Sequence, residues 1–205
     1  MHVKPKLYHC VGARSFRPLW ALEEMELEYE LVLVPFPPRV REEGWLDINP
    51  FGTIPAFFDN GEVMTESVGI CHYLAERHGP TPLAVTPDEK DYGRYLNWMY
   101  QADATMTFPQ TIALRYRMFE PDKGLQQAGD DYAQWFFSRL KAATEVLGER
   151  EYIAGNRFTM ADIAFGYALK LAEQIKLGEF PAPISAYWDR LQARDGYKAA
   201  VAKEG

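Results

Sequence analysis

Apolar residues follow both strand-like and helix-like spacings in the first part of the chain, and only a helix-like spacing in the second part. Over roughly the first eighty residues, short runs rich in β-branched and aromatic side chains alternate with stretches whose apolar residues recur every three or four positions. The first pattern is typical of strands and the second of helices. The predicted strands are 6–10, 29–34, 56–58 and 62–65, and the predicted helices are 15 to about 27, 41–48 and 67–78.

Beyond residue 88 the chain carries only helical patterns. Proline residues bend or separate these segments, because a proline inside a helix removes a hydrogen bond and clashes with the preceding turn. A proline-rich stretch at 80–87 is typical of a linker. The order βαβ, α, ββα and then helices predicts a thioredoxin-like α/β domain at 1–79, followed by an all-α domain at 88–205.

One helix start in the second domain is marked by its residues. Thr159 directly precedes an apolar run and Asp162 lies three residues later, which is the spacing of a capping box. Phe158 and Ile163 flank this pair and predict a hydrophobic staple. Removal of the Thr159 hydroxyl is expected to lower the free energy of unfolding by about 1 kcal/mol.

The segment Asn49-Pro50-Phe51-Gly52-Thr53-Ile54-Pro55 ends at the entrance to the predicted strand 56–58. Pro55 has no N–H to give to a sheet, which is tolerated at the first position of a strand. An X-Pro bond adopts the cis form at a cost of only about 0.5–1 kcal/mol, so we predict a cis bond between Ile54 and Pro55. The N–H and C=O of Ile54 are then expected to face outward and to pair with an extended peptide.

A second binding feature begins eleven residues after Pro55, at Glu66 and Ser67. These residues open the helical pattern at 67–78, so hydroxyl and N–H donors are expected at a helix N-terminus. Such a terminus favours a carboxylate. Together with the Ile54 main chain, this predicts a receptor for a small peptide with a negatively charged end.

The composition narrows the classes of partner. The chain has 29 acidic and 22 basic residues and a formal charge of −7, which argues against a nucleic-acid partner. Two cysteines, Cys10 and Cys71, form no CxxC pair and indicate a reducing, cytoplasmic setting. The histidines lack ligand spacing, so no metal site is predicted. No apolar run approaches the ~18 residues of a membrane span, so no membrane association is expected.

Four segments, taken in order and at their spacing, resemble the cytosolic glutathione S-transferases of the bacterial type. They are Ser15-Phe16-Arg17-Pro18-Leu19-Trp20-Ala21-Leu22-Glu23-Glu24, the loop from Asn49-Pro50 to Ile54-Pro55, Thr65-Glu66-Ser67 ahead of Ile70-Cys71-His72-Tyr73-Leu74, and Phe158-Thr159-Met160-Ala161-Asp162. The resemblance implies glutathione as co-substrate, bound by the N-terminal domain. It also implies a pocket for a small hydrophobic electrophile formed with the helical domain, a homodimer, and a role in detoxification.

The resemblance also implies roles by position. Ile54, held by its bond to Pro55, is expected to pair through its main chain with the cysteinyl part of glutathione. Glu66 and Ser67 are expected to hold the γ-glutamyl end. Thr53 occupies the place where relatives often carry Gln or Lys, and belongs to the same binding segment. The candidates for the glycyl carboxylate are Arg14, Arg39 and Arg41, and the sequence does not choose among them.

The family's reaction needs the thiol of glutathione as a thiolate, and a free thiol with a pKa near 8.5 is only a few per cent ionised at neutral pH. The resemblance places the activating group within 10–15. Ser15 is the leading candidate, because it opens the first helix and its hydroxyl lies at the positive end. Pro18 has no N–H to donate to a capping hydroxyl, so the Ser15 oxygen is expected to accept only from the N–H of Arg17 and to keep its own proton available. The alternative is that Ser15 is a plain N-cap.

Cys10 is the rival candidate. As an active thiol it could form a mixed disulfide with glutathione and give reductase chemistry, whereas the alternative is a buried structural thiol. Arg14 could favour the thiolate electrostatically. The segment Ala13-Arg14-Ser15-x-x-Pro18 is similar to that of some bacterial β-aryl-ether-cleaving enzymes, so ether cleavage, isomerisation or thiol reduction stay open. A non-catalytic binding module on the same scaffold also stays open.

Overall fold

The computed structural model describes residues 4–204, which form two compact units. Residues 4–84 together with 192–204 make the first unit, and residues 85–191 make the second. The boundaries predicted from the sequence assign the end of the chain to the helical domain, whereas the structure groups it with the first unit. Residues 1–3 and 205, which those boundaries include, lie outside the described residues.

The first unit is built on a mixed sheet whose strands are β1 (Lys6–His9), β2 (Glu30–Leu33), β3 (Ala56–Asp59) and β4 (Glu62–Met64). The strand order is β2-β1-β3-β4. β1 runs parallel to β2, with Leu7 opposite Leu31, and antiparallel to β3, with Leu7 opposite Phe57. β3 and β4 form the predicted hairpin. This arrangement confirms the thioredoxin-like α/β domain.

Between and after these strands, the unit carries the helices α1 (Phe16–Glu24), α2 (Pro38–Arg41), α3 (Trp45–Ile48) and α4 (Ser67–Arg77). The single helix predicted at 41–48 is therefore wrong. Gly44 takes a φ of 75°, a left-handed conformation that separates α2 from α3. α1 is also shorter than predicted, since Glu26 takes a φ of 52° just beyond its end.

The second unit carries no strand in residues 85–191, as predicted. Its helices are α5 (Tyr92–Gln101), α6 (Phe108–Leu114), α7 (Gln126–Glu149), α8 (Met160–Gln174) and α9 (Ala182–Gln192). A π-helical segment, Ala102–Thr107, joins α5 to α6 ahead of Pro109. Here the Thr107 hydroxyl donates to the Ala102 carbonyl at 2.7 Å. The helical path continues from the π-helical segment through Pro109 into α6, with a change of pitch.

Helix α8 is the centre of the second unit, because its residues from Met160 to Ala172 are buried on all sides. The predicted capping box is confirmed at its start. The Thr159 hydroxyl accepts a hydrogen bond from the Ala161 N–H at 3.3 Å, and the Asp162 carboxylate accepts one from the Thr159 N–H at 2.8 Å.

Asp162 does more than close this box. Its fully buried carboxylate also accepts hydrogen bonds from the Ile153 N–H at 2.9 Å, the Thr159 hydroxyl at 3.0 Å and the Tyr187 hydroxyl at 2.8 Å. Burial raises the pKa of Asp162 to about 6, while these hydrogen bonds oppose the shift. One side chain thus links α8 to α9 and to the loop that precedes α8.

The last helix, α10 (Asp195–Lys203), packs on α1 within the first unit. The Tyr197 ring meets the rings of Phe16 and Trp20 edge-on, with centroids 5.5 and 5.0 Å apart. Arg194, just ahead of α10, forms a two-pronged ion pair with Glu24 at 2.8 and 2.7 Å. These contacts hold the end of the chain against the helix that follows β1.

Candidate functional site

Strand β1 passes into α1 through residues 10–15, which we call the β1–α1 loop. The Ala13 N–H donates to the Cys10 carbonyl at 3.1 Å and closes a turn. Gly12, the third residue of this turn, has a φ of 70°, as a type II turn requires. The Ser15 hydroxyl closes the loop further, because it accepts from the Cys10 N–H at 3.2 Å and donates to the Cys10 carbonyl at 3.4 Å.

The local geometry predicted for Ser15 is wrong. Ser15 is fully buried, and its hydroxyl makes no capping hydrogen bond. The Arg17 N–H donates instead to the Arg14 carbonyl at 3.1 Å. The physical reason is the backbone of Ser15, which is α-helical (φ −62°, ψ −11°) rather than extended as in most N-caps, so the hydroxyl reaches back to Cys10. The part that Ser15 plays in thiol activation stays a prediction.

Both cysteines are buried inside the first unit. Burial raises the pKa of the Cys10 thiol to about 12 and that of the Cys71 thiol to about 12. The thiolate is the reactive form, and burial disfavours it in both side chains. The geometry therefore favours the structural reading of Cys10 over the redox one.

The bond between Ile54 and Pro55 is cis, as predicted. The Ile54 side chain packs in one buried cluster with Cys10 and Ala13 of the β1–α1 loop. Within residues 4–204, the Ile54 main chain makes no hydrogen bond, because the pairing of β3 begins at Ala56. Its N–H and C=O are thus unused by the protein itself.

Asn49 shapes the loop ahead of Ile54, a role that the sequence alone did not assign. Its fully buried side chain donates to the carbonyl and the hydroxyl of Thr53 at 2.8 and 3.1 Å and accepts from the Phe51 N–H at 3.0 Å. Thr53 is exposed, and its hydroxyl keeps its own proton to donate. The loop is therefore fixed from within, and its outer face carries Thr53.

Helix α4 begins at Ser67, directly after the exposed Glu66. The Ile70 N–H donates to the Glu66 carbonyl at 2.8 Å, which leaves the N–H groups of Ser67, Val68 and Gly69 without an intrahelical partner. No side chain caps this end. The start of α4 thus presents N–H donors and the positive end of a helix dipole, the combination that binds anions.

Arg17 is the residue of this site that sequence reasoning missed. It lies on α1, is fully buried, and donates from Nη1 to the Ser67 hydroxyl oxygen at 3.0 Å. Because Ser67 accepts this hydrogen bond, its own proton remains to be donated elsewhere. The sequence feature that could have indicated Arg17 is its position as a single arginine within the apolar start of α1, between Phe16 and Pro18.

The structure separates the arginines that were candidates for the glycyl carboxylate. The side-chain stem of Arg39 lies on Gly52, where an added Cβ would come within 3.1 Å of the Arg39 Cβ and 3.2 Å of its Cδ. Arg39 is exposed and forms no ion pair with residues 4–204. Arg14 is half-buried in the β1–α1 loop. Of Arg14 and Arg39, Arg39 is thus the one whose stem lies on the loop leading to Ile54, and Arg41 is exposed like Arg39.

Three segments that carry the predicted site residues meet at the start of α1. The loop before β3 reaches it through Ile54, which lies in one buried cluster with Ala13, and α4 reaches it through Ser67, whose hydroxyl accepts a hydrogen bond from Arg17. Two of the shallow depressions on the described part of the second unit, of about 610 Å³ each, lie beside Phe180 and Phe137, and neither is lined by a predicted site residue.

Membrane-spanning helices and clusters of metal ligands are both absent from the described residues. None of the helices between residues 4 and 204 combines the length and the apolarity needed to cross a membrane. In the same part of the chain, no three side chains of His, Cys, Asp or Glu come together as metal ligands would.

Comparison with known proteins agrees with this fold. Residues 3–76 match the family of the glutathione S-transferase N-terminal domain, and residues 109–195 match that of the C-terminal domain. Glutathione S-transferase hmp2 of Hypomyces subiculosus is 30% identical over 97% of this chain and 98% of its own. Glutathione S-transferase GstA of Escherichia coli O157:H7 is 28% identical over 98% of both chains.

Solved structures give the same result. A sphingomonad glutathione S-transferase complexed with glutathione superposes with a TM-score of 0.84 and 28% identity over 98% of each chain. A glutathione transferase of Phanerochaete chrysosporium with oxidized glutathione has a TM-score of 0.87 at 20% identity, covering 100% of this chain and 96% of its own, and shares the fold. From its sequence and its fold, this chain belongs to the glutathione S-transferase family.

Proposed function

We propose that this protein binds glutathione on its first unit and activates the thiol for attack on a small hydrophobic electrophile. The observation that carries the proposal is the convergence of the β1–α1 loop, the Ile54 segment and the start of α4 at one end of α1. Each segment carries groups that can bind a different part of glutathione. The sphingomonad relative, solved with glutathione, supports the choice of ligand.

The middle of the tripeptide pairs with the Ile54 main chain in this proposal. An extended peptide gains hydrogen bonds when it adds to an unpaired backbone segment. Ile54 offers one N–H and one C=O directly ahead of β3, and neither has a partner in residues 4–204. Pro55 separates this unpaired residue from the strand that follows.

The γ-glutamyl end binds at the start of α4. Its carboxylate accepts from the hydroxyl and the N–H of Ser67, while its amino group pairs with the exposed carboxylate of Glu66. The buried guanidinium of Arg17 fixes the Ser67 hydroxyl and adds positive charge behind it. In this binding mode, Arg17 is the one fully buried charged group among residues 4–204 that acts on glutathione.

The glycyl carboxylate pairs with Arg39. A guanidinium binds a carboxylate through two parallel hydrogen bonds, which suits a solvent-exposed end of a peptide. Arg39 fits because its stem lies on Gly52, two residues before Ile54, and its charge is not used by another residue in 4–204. The hydroxyl of Thr53 is a further donor on the same loop.

Thiol activation belongs to the β1–α1 loop. Lowering the thiol pKa by about two units makes the thiolate the major species at neutral pH and corresponds to roughly 2.7 kcal/mol. Ser15 contributes its hydroxyl at the start of α1 if that group turns from Cys10 towards the ligand. The charge of Arg14 and the start of the helix dipole act in the same direction.

Calorimetry with glutathione, followed by a conjugation assay with a generic electrophile, tests this function. We expect binding, thermal stabilisation of the folded state and turnover, with a lower rate in Ser15→Ala. Ser138→Ala, an exposed serine of the second unit, is the matched control and should behave as wild type. No heat and no thermal shift at millimolar glutathione would rule the proposal out. An unchanged rate in Ser15→Ala would remove only Ser15 from its role.

We also propose that the protein is a homodimer in the cytoplasm, with a role in detoxification. Phe51 supports the dimer, because its side chain is 77% exposed at the tip of the loop that Asn49 holds. A large apolar side chain on a fixed loop suits insertion into a partner surface.

We expect Phe51→Asp to shift the protein towards monomer in sedimentation velocity, whereas Phe119→Asp, an equally polar change on the second unit, does not. A dimer unaffected by Phe51→Asp would exclude this residue from the interface.

A further inference from the structure

The residue that directly follows α10 reaches into the β1–α1 loop. The Glu204 carboxylate accepts a hydrogen bond from the Gly12 N–H at 2.8 Å, and the same oxygen lies 3.3 Å from Nε2 of His9. The Glu204 side chain is 7% exposed and His9 is fully buried. Neither ring nitrogen of His9 has a hydrogen-bond partner of good geometry in residues 4–204, so this carboxylate is the charged group that faces the ring.

We propose that Glu204 is a positioning residue for thiol activation, acting through the main chain of the β1–α1 loop. The inference rests on the proposed function, which assigns activation to that loop. Gly12 stands in the left-handed position of the turn from Cys10 to Ala13. A hydrogen bond from its N–H to a carboxylate is short and stronger than a bond between neutral groups. Glu204 thereby fixes the one residue on which the turn depends.

The Ser15 hydroxyl holds the same loop through longer contacts. The Ser15 hydroxyl holds Cys10 through bonds of 3.2 and 3.4 Å, both longer than the contact of Glu204 to Gly12. Val11 lies on the outer side of the turn with its side chain 61% exposed, and its N–H makes no hydrogen bond within residues 4–204. Without Glu204 the turn can relax, and the N–H groups and the Ser15 hydroxyl lose their fixed direction.

The adjacent residue provides a control. Lys203 pairs with Glu23 at 2.6 Å and thus also ties α10 to the end of α1, but this contact lies away from the loop. Lys203→Ala therefore loosens the docking of α10 and leaves the contact with Gly12 in place. Glu204→Gln keeps an acceptor oxygen for the Gly12 N–H and removes the charge, whereas Glu204→Ala removes both.

The experiment measures the pH dependence of kcat and the ultraviolet thiolate absorbance of the glutathione complex for the full chain and its variants. We expect Glu204→Ala to raise the apparent pKa of the bound thiol by about one unit and to lower kcat at neutral pH about tenfold. Glutathione affinity by calorimetry should change less than kcat. Glu204→Gln should recover most of the loss, and Lys203→Ala should resemble wild type.

A lower melting temperature in Glu204→Ala without a change in thiol pKa would overturn the inference and leave a purely structural contact. An equal shift in Lys203→Ala would also overturn it, because helix docking would then explain the effect. If Glu204→Ala does not fold, Glu204→Asp replaces it in these measurements. Its side chain is one methylene shorter, so its carboxylate does not reach the Gly12 N–H. If wild type itself bound no glutathione, the proposed function would fail first, and the inference with it.

Discussion

Arg17→Met is expected to raise the KM for glutathione about tenfold, which corresponds to ~1.4 kcal/mol of binding free energy. The guanidinium of Arg17 is buried and donates to the Ser67 hydroxyl, which we assign to the γ-glutamyl carboxylate. Without it, the hydroxyl is free to rotate and the positive charge behind the start of α4 is lost. Methionine fills a similar volume, so the packing of α1 is largely kept. Steady-state kinetics and calorimetry with glutathione measure the effect.

A double-mutant cycle separates this role from a general effect of packing. Ser67→Ala should weaken binding by a similar factor, and the Arg17→Met, Ser67→Ala double variant should lose little more than either single one, since both act through one contact. Arg194→Met removes another arginine contact of the same unit, the ion pair with Glu24, and should leave glutathione binding intact. Strictly additive losses, or an unchanged KM in Arg17→Met, would contradict the assignment.

Asp162→Ala is expected to lower the free energy of unfolding by about 3 kcal/mol or more. The carboxylate accepts hydrogen bonds from two main-chain N–H groups and two hydroxyls in a fully buried environment. Each donor left without an acceptor costs roughly 1–3 kcal/mol, and relaxation or water entry recovers only part of this sum. Urea unfolding at equilibrium, followed by circular dichroism, measures the change.

Smaller truncations of the residues bonded to the Asp162 carboxylate provide reference values for this loss of stability. Thr159→Ala should cost about 1 kcal/mol as the loss of an N-cap, and Tyr187→Phe should cost a similar amount as the loss of one donor. Both should be clearly milder than Asp162→Ala, because each removes a donor and leaves the acceptor satisfied by the others. A destabilisation of Asp162→Ala below that of Thr159→Ala would show that the network does not depend on this residue.

The fold was predictable to the extent that it depends on short-range patterns. Alternating and helical periods located the strands and most helices, and the box of Thr159 and Asp162 marked the start of α8. The break between α2 and α3 was missed, since it depends on the φ of Gly44, to which periodicity is insensitive. The grouping of α10 with the first unit was missed for a different reason. Its partner, α1, lies more than 150 residues earlier in the chain, as the ion pair of Arg194 with Glu24 shows (170 residues apart).

Features of the candidate site also divide into those that depend on neighbouring residues and those that depend on distant ones. The cis bond ahead of Pro55 and the helix start at Ser67 were predictable, because a proline at a strand entrance and donors at a helix start act through their immediate neighbours. Arg17 was not, since its partner Ser67 lies 50 residues away. Ser15 was assigned a free hydroxyl from a local rule for N-caps, and the helical backbone at that residue turned the group towards Cys10 instead.

By itself, the sequence predicted the two kinds of domain from periodicity, and its motifs of neighbouring residues indicated the family by resemblance and a candidate peptide-binding site. Only the tertiary structure decided which side chains support that site. The contacts of Arg17 with Ser67 and of Glu204 with Gly12, the latter 192 residues apart, form when distant segments pack together. Buried polar groups must find partners wherever the fold brings them, and no local pattern specifies which ones they meet.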